Sequence, residues 1–232
     1  MLAVRRGNAE EVRALLAAGA NPNIPEWHNN TPLMHACQLG YTDIVRMLIA
    51  AGADVNAREA DGMTPLCRAA YYTDSPDTLN LLIDSGAELC PRVGENGATP
   101  LHYAAMGGHN GNLRTLLELG LDVNLCTKTG DTPLVRAMTF GRVDCVQTLL
   151  SAGATTEMNG DGGAFFCRMA LDSREPSIIE LAEKHAPAFA DIQRDLTGSK
   201  FPVTEQSGEA DGRIRHYSHW QFSLIPAAGS GT

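Results

Sequence analysis

The tripeptide Thr-Pro-Leu occurs four times in this chain of 232 residues, at nearly constant intervals. The copies are 33, 35 and 33 residues apart and begin at Thr31, Thr64, Thr99 and Thr132. A second series, Gly followed by Ala or Leu, keeps the same period and begins at Gly19, Gly52, Gly86, Gly120 and Gly153. Two series that share one period predict a tandem array of stacked structural units rather than a single globular core.

Charge and hydropathy exclude several classes of function. The chain has 18 Lys and Arg against 27 Asp and Glu, a formal net charge of -9. Because no basic patch is evident, direct binding to a nucleic acid is disfavoured. The sequence contains no segment of signal-peptide form and no run of about 18 apolar residues that could span a bilayer. We therefore expect a soluble monomer in the cytoplasm or the nucleus, without contact with a membrane.

The cysteines do not form a metal-binding framework. They contain no C-x-x-C pair and occupy different phases of the period, at Cys37, Cys67, Cys90, Cys126, Cys145 and Cys167. We expect reduced and mostly buried thiols, because free Cys behaves as a small apolar side chain. No metal or other cofactor is predicted.

One period has the signals of two helices. In the fourth copy, the turn dipeptide Asn96-Gly97 precedes Thr99, which can cap a helix whose first residue is Pro100. In the second copy, a further helix with apolar residues at helical spacing follows and ends at Gly52, where a residue without Cβ suits a left-handed cap.

These motifs together resemble the ankyrin repeat. Thr-Pro-Leu-His-x-Ala-Ala, a glycine in mid-unit and Gly-Ala-Asp-Val-Asn occur in the family's order, most clearly in 31–56 and 99–124. The resemblance implies an all-α fold, a solenoid of stacked helix-turn-helix repeats with β-turn fingers. The array is predicted to cover 1–186, as units one to six at 1–25, 26–58, 59–92, 93–126, 127–159 and a degenerate 160–186.

Unit three departs from the pattern of its neighbours. Thr73 stands where units two, four and five have a glycine between their helices, and an extra residue follows. A β-branched residue in the left-handed region costs about 1–2 kcal/mol. The segment 73–77 is therefore predicted to reroute the connection, with Ser75 capping the second helix and Pro76 opening it.

In ankyrin repeat proteins, the finger tips and the exposed side of the first helices line a concave groove that binds partner proteins. The resemblance implies that this chain does the same, through Trp27, His28, Gln38, Leu39, Met63, Tyr71, Tyr72, Asn96, Met106, Lys128 and Phe140. Aromatic side chains dominate interface hot spots, and Met is enriched at binding surfaces. The alternative is that some of these side chains pack under neighbouring turns. His102 is predicted to be structural, hydrogen-bonded within the layer of turns.

The segment 187–232 reads as a linker-like tail in which the period is lost. Residues 213–225 have enough aromatic and β-branched character to form a docking segment, and disorder is the alternative. His216 and His219 have no third ligand nearby, so they do not predict a metal site.

The sequence thus favours a protein–protein interaction module, which acts as a scaffold, an adaptor or an inhibitor. An enzyme is not expected, because the chain lacks G-x-S-x-G, H-E-x-x-H and a phosphate-binding glycine loop. A second hypothesis remains open, since Met1 aligns with the middle of a first helix. The chain would then be a fragment or regulatory arm of a larger ankyrin-containing protein, such as a kinase, a channel or a ubiquitin-ligase adaptor.

Overall fold

The computed structural model describes residues 1–157, 163–186 and 189–198, and its secondary structure there is helical. A 3-10 turn covers Trp27–Asn29, and the α-helices are α1 Leu2–Arg5, α2 Ala9–Ala17, α3 Pro32–Leu39, α4 Thr42–Ala50, α5 Pro65–Tyr72, α6 Pro76–Asp84, α7 Pro100–Gly107, α8 Asn110–Glu118, α9 Pro133–Thr139, α10 Val143–Ser151, α11 Ala164–Ser173, α12 Pro176–His185 and α13 Phe189–Gly198. None of the helices in these ranges is long and apolar enough to cross a membrane.

The helices form two layers, as predicted for an all-α solenoid. Each odd-numbered helix from α1 to α11 contacts the next odd-numbered one and makes the inner layer; the even-numbered helices α2 to α12 likewise make the outer layer. In units two to five, each helix contributes an equivalent buried leucine to the space between the layers. These are Leu33, Leu66, Leu101 and Leu134 on the inner helices and Leu48, Leu82, Leu116 and Leu149 on the outer ones. The core is therefore extended along the array.

Local chemistry fixes where the helices begin and end. The hydroxyls of Thr31, Thr64 and Thr132 each accept a hydrogen bond from the backbone N–H of the third residue of the inner helix, and Pro follows each Thr. This arrangement pairs an otherwise orphaned N–H, and Pro leaves none of its own. Inner helices α3 and α7 end at glycines with left-handed backbone, Gly40 at φ 71° and Gly108 at φ 81°.

Asparagine side chains join successive units. Asn23 donates from Nδ2 to the Gly52 carbonyl oxygen at 2.9 Å and accepts the Asp54 N–H at 2.8 Å. Asn56 and Asn124 make the same pair of bonds to the units that follow them. In unit three the equivalent position is Cys90, which has no amide to form this clamp. The junction between units three and four must therefore be held differently.

The rerouted loop of unit three makes contacts to unit four that replace the missing asparagine bonds. Thr73 is extended at φ -139°, and Ser75 caps α6 ahead of Pro76, which confirms both sequence predictions. The loop brings Asp74 to the start of α8 in unit four, where its carboxylate oxygens accept the N–H groups of Gly111 at 3.2 Å and Asn112 at 2.9 Å. An acidic side chain of one unit thus caps a helix of the next, where the helix dipole favours negative charge.

A helix follows the predicted end of the array. Helix α13 begins at Phe189, contacts α11 and α12, and buries Phe189 in the common core. The sequence pattern gave no sign of this helix, because it lies in the segment assigned to the tail. The predicted docking segment 213–225 and the pair His216 and His219 lie outside the described residues.

Four cysteines are buried, as the sequence predicted: Cys37, Cys67, Cys145 and Cys167. Burial raises the pKa of the Cys67 thiol to about 12 and that of Cys145 to about 11, so both stay protonated at neutral pH. Cys90 and Cys126 are exposed, on the loops that lead from one unit to the next.

Candidate protein-binding surface

In each unit, the turn that precedes the capping Thr is called here the finger. The inner helices and the finger tips beside them present a continuous set of side chains, called here the inner face. Because inner helices pack side by side, equivalent residues of successive units form rows along it. The row eight residues after each capping Thr contains Leu39, Tyr72 and Phe140, with exposed fractions of 41%, 43% and 43%. Packing leaves these large apolar side chains in water although the solenoid has a buried core for others.

The structure places ten of the eleven predicted binding residues at least partly in solvent. Exposed are Trp27, His28, Leu39, Tyr72, Asn96, Lys128 and Phe140; half-buried are Gln38, Tyr71 and Met106. Met63 is buried and packs with Cys67 and Val93. Met63 is therefore one of the side chains that pack under a neighbouring turn, and its assignment to the binding surface was wrong.

The finger of unit two exposes Trp27 to solvent. Trp27 is 87% exposed. The next two residues, His28 and Asn29, have left-handed backbone at φ 59° and 61°, although neither is glycine. Consecutive left-handed residues usually occur as Asn-Gly, and a non-glycine residue there stores strain that is often found at functional sites. The His28 carbonyl oxygen also accepts the Ala60 N–H at 2.8 Å, which joins this finger to the next.

Two Arg–carboxylate ion pairs and one His–Glu contact join the fingers to the inner helices, and burial lowers the pKa of His35. The row four residues after each capping Thr contains His35, Arg68 and Arg136, and each faces an acid on its own finger. His35 lies 3.6 Å from Glu26, Arg68 contacts Glu59 directly, and Arg136 lies 2.8 Å from Asp131. Sequence reasoning missed this row, although the fixed offset from Thr could have found it.

An aromatic cluster interrupts the basic row at unit four. Tyr103 stands in the position of Arg68 and Arg136, and its ring centroid lies 5.9 Å from that of Tyr71. Tyr71 is in turn 4.8 Å from Tyr72, and both ring pairs meet edge to face. The Arg68 guanidinium lies 5.7 Å from the centre of the Tyr72 ring. Tyr103 was not predicted as a surface residue, although the motif Thr-Pro-Leu-His-x-Ala-Ala leaves its position variable.

His102 lies beneath this surface, in the predicted structural role. Its Nδ1 accepts the Thr99 N–H at 3.3 Å and lies 2.8 Å from the Thr99 hydroxyl, while Nε2 lies 3.0 Å from the Asp131 carbonyl oxygen. Since Nδ1 is an acceptor, the proton is on Nε2 and is donated to Asp131. Burial lowers the pKa of His102 to about 4, so the imidazole is neutral at pH 7.

Comparison with known families decides the classification. The family described as ankyrin repeats in three copies matches residues 1–93 and again residues 66–159. This chain belongs to the ankyrin repeat family. The resemblance of the Thr-Pro-Leu-His and Gly-Ala-Asp-Val-Asn motifs to that repeat is therefore confirmed, together with the solenoid it implied.

Several longer proteins contain similar ankyrin segments. The chain is 34% identical over 76 residues to the target of rapamycin complex 2 subunit AVO2 of Saccharomyces cerevisiae, which is 33% of this chain and 18% of that protein. It is 30% identical over 117 residues to the probable E3 ubiquitin-protein ligase XBOS32 of Oryza sativa subsp. japonica, 49% of this chain and 23% of that protein. With the transient receptor potential cation channel subfamily A member 1 of Homo sapiens it shares 26% identity over 160 residues, 66% of this chain and 14% of that protein. The match thus spans less than a quarter of each relative.

The inner face of this ankyrin array is suited to recognition. Its rings, hydroxyls and amides can bury apolar area and form hydrogen bonds, and its two half-buried arginines, Arg68 and Arg136, are already paired with acids on the fingers. Ankyrin repeats typically act as non-catalytic interaction modules, whose extended surfaces bind other proteins.

Proposed function

We propose that the array binds a partner protein across its inner face and acts as a scaffold, an adaptor or a stoichiometric inhibitor. The observation that carries this proposal is the row of Leu39, Tyr72 and Phe140, each more than two-fifths exposed and at the same distance from the capping Thr in units two, three and five. Contact with a partner would remove this apolar area from water, at about 25 cal/mol per Å².

The strained finger of unit two supports the same surface. Folding alone gives no reason to hold Trp27 almost fully in water on two left-handed, non-glycine residues. An exposed Trp is a strong candidate for a hot spot, whose truncation costs at least about 2 kcal/mol of binding free energy. Trp27 therefore serves as an anchor beside the row of inner-helix residues.

The test compares two variants in affinity capture from an extract of cells that express the protein. Leu39→Ala, Tyr72→Ala and Phe140→Ala are combined in one variant. The control is Leu119→Ala, an equally exposed side chain at the C-cap of outer helix α8. We expect the first variant to lose partners that the wild type and the control retain. Circular dichroism and urea unfolding check that all three proteins fold. Capture of the same partners by all of them would contradict the proposal.

A second candidate function is that the array is the binding arm of a larger protein. The segments of AVO2, XBOS32 and the human channel that match this chain are each less than a quarter of a longer protein, which favours this alternative. Full-length transcripts test it: an in-frame Thr-Pro-Leu unit upstream of Met1 would support a larger array. The surface assigned to partner binding is the same under both candidates.

A further inference from the structure

The centre of the inner face, where units three and four meet, combines aromatic rings with carboxyl groups. Tyr71, Tyr72 and Tyr103 form the edge-to-face cluster there. Tyr103 packs against the cluster of Met63, Cys67 and Val93, so the finger of unit three, which carries Glu59 and Asp61, lies beside this ring. Burial raises the pKa of the Tyr103 hydroxyl; Cys67, Asp61 and Glu59 add to the effect, and Arg136 opposes it.

The charges at this place do not balance. Arg68 contacts the Glu59 carboxylate and the side-chain oxygen of Gln38, so its guanidinium is already engaged. Asp61 is exposed at the finger tip and close to Glu59. Burial raises the pKa of Glu59 and the Asp61 carboxyl raises it further, while Arg68 opposes both. Glu59 and Asp61 therefore face the guanidinium of Arg68, while the nearby Arg136 is paired with Asp131, so the surplus is negative.

The tyrosines add groups that attract a cation. None of the three hydroxyls has a hydrogen-bond partner among the described residues, and Tyr72 is the most exposed of the rings. The face of an aromatic ring carries negative charge and binds Arg or Lys within about 6 Å of its centre. The internal contact of Arg68 with the Tyr72 ring shows this attraction within the protein itself.

We infer that this site, called here the tyrosine–aspartate site and formed by Asp61, Tyr71, Tyr72 and Tyr103, receives a basic side chain from the bound protein. An Arg or Lys lying against the Tyr rings would pair with Asp61 and restore the balance of charge. An acidic side chain would instead meet the surplus carboxylate, and the one unpaired nitrogen of Arg68, its Nε, is buried and out of reach of a partner. The inference rests on the proposed function, because it names the chemistry of the partner bound at that surface.

The test uses a random dodecapeptide library displayed on phage and selected against the full chain. We expect the selected peptides to be enriched in Arg or Lys and to lose about 30-fold or more in affinity for Tyr72→Ala, as for a hot spot. Asp61→Asn should weaken them by up to about fivefold, the effect of one exposed ion pair. Asp84→Asn makes the same change of charge on outer helix α6 and should leave the affinity unchanged.

A double-mutant cycle locates the contact. Replacing the basic residue of the peptide by Gln should weaken binding to the wild type and have little further effect on Asp61→Asn. Peptides that need Tyr72 but are insensitive to Asp61→Asn, or that favour acidic residues, would overturn the inference and leave the proposed function standing. A selection without binders, or with binders insensitive to Tyr72→Ala, would contradict both.

Discussion

A single buried imidazole joins units four and five. His102 is fully buried, accepts the Thr99 N–H on Nδ1 and donates from Nε2 to the Asp131 carbonyl oxygen of the next finger. Protonation of Nδ1 would place two donors against each other in a site that water does not reach. The same position is Met34, Cys67 and Val135 in other units. The ankyrin fold of the other units therefore does not require a histidine at this position, and we expect a variant without His102 to keep the same fold.

The pH dependence of stability should reveal this residue. The pKa of His102 falls from 6.5 to about 4 on folding, so between these values the unfolded chain binds a proton that the folded chain does not. Stability is fully present above pH 6.5 and is lost as the pH falls towards 4, by on the order of 3 kcal/mol. The variant His102→Met places the residue of unit two at this position. In urea unfolding, its free energy of unfolding should fall less between pH 6.5 and pH 4 than that of the wild type. Equal losses would show that His102 does not titrate in this way.

Helices of adjacent units depend on one another where unit three deviates. Asp74, in the rerouted loop, accepts two N–H groups from the first turn of α8. Close approach of this loop also explains a glycine inside that helix, since a Cβ on Gly111 would lie 2.8 Å from Asp74 Oδ1. The loop of unit three and the helix of unit four thus form a matched pair that replaces the missing asparagine clamp.

If Asp74 and Gly111 form a matched pair, the effect of Gly111→Ala on the free energy of unfolding should change sign when Asp74 is removed. Asp74→Ala should cost about 1 kcal/mol of unfolding free energy, as for the loss of a helix cap. Gly111→Ala alone should destabilise, because it displaces the Asp74 carboxylate. In the Asp74→Ala background the same change should be neutral or stabilising, by up to about 1 kcal/mol, since Ala favours a helix more than Gly does. Unfolding free energies of the four proteins measure the coupling, and strictly additive effects would rule the pairing out.

At the scale of the whole array, helix α13 continues the packing of the repeated helix pairs. It contacts α11 and α12 and buries the Phe189 ring at 2% exposure. It therefore lies next in the row of inner helices and extends the core by one further layer.

Two phenylalanines give a matched test of this role. Phe189→Ala should lower the free energy of unfolding by about 3 kcal/mol, because it removes a buried ring and leaves a cavity. Phe140→Ala, on the exposed inner face, should change it by less than about 0.5 kcal/mol. Denaturation by urea measures both. If the two variants are equally stable, α13 contributes nothing to the array.

Sequence determined much of the architecture because its signals recur in every unit and act locally. The period predicted stacked helix pairs, Thr and Pro predicted where inner helices begin, and the left-handed Gly52 predicted where an outer helix ends. Even the exception was predicted, since Thr73 cannot easily adopt the left-handed turn that Gly40 and Gly108 make. Each of these inferences depends on a few neighbouring residues and on their own backbone preferences.

Only the tertiary structure decided what depends on residues 30 or more positions apart. It placed Met63 under the next finger, Tyr103 beside Tyr71, and Asp74 at the start of α8. It also added α13, which has no motif of its own and takes its place by packing. The physical reason is that a repeat fixes the conformation of each unit, whereas burial and pairing depend on which side chain the adjacent unit presents.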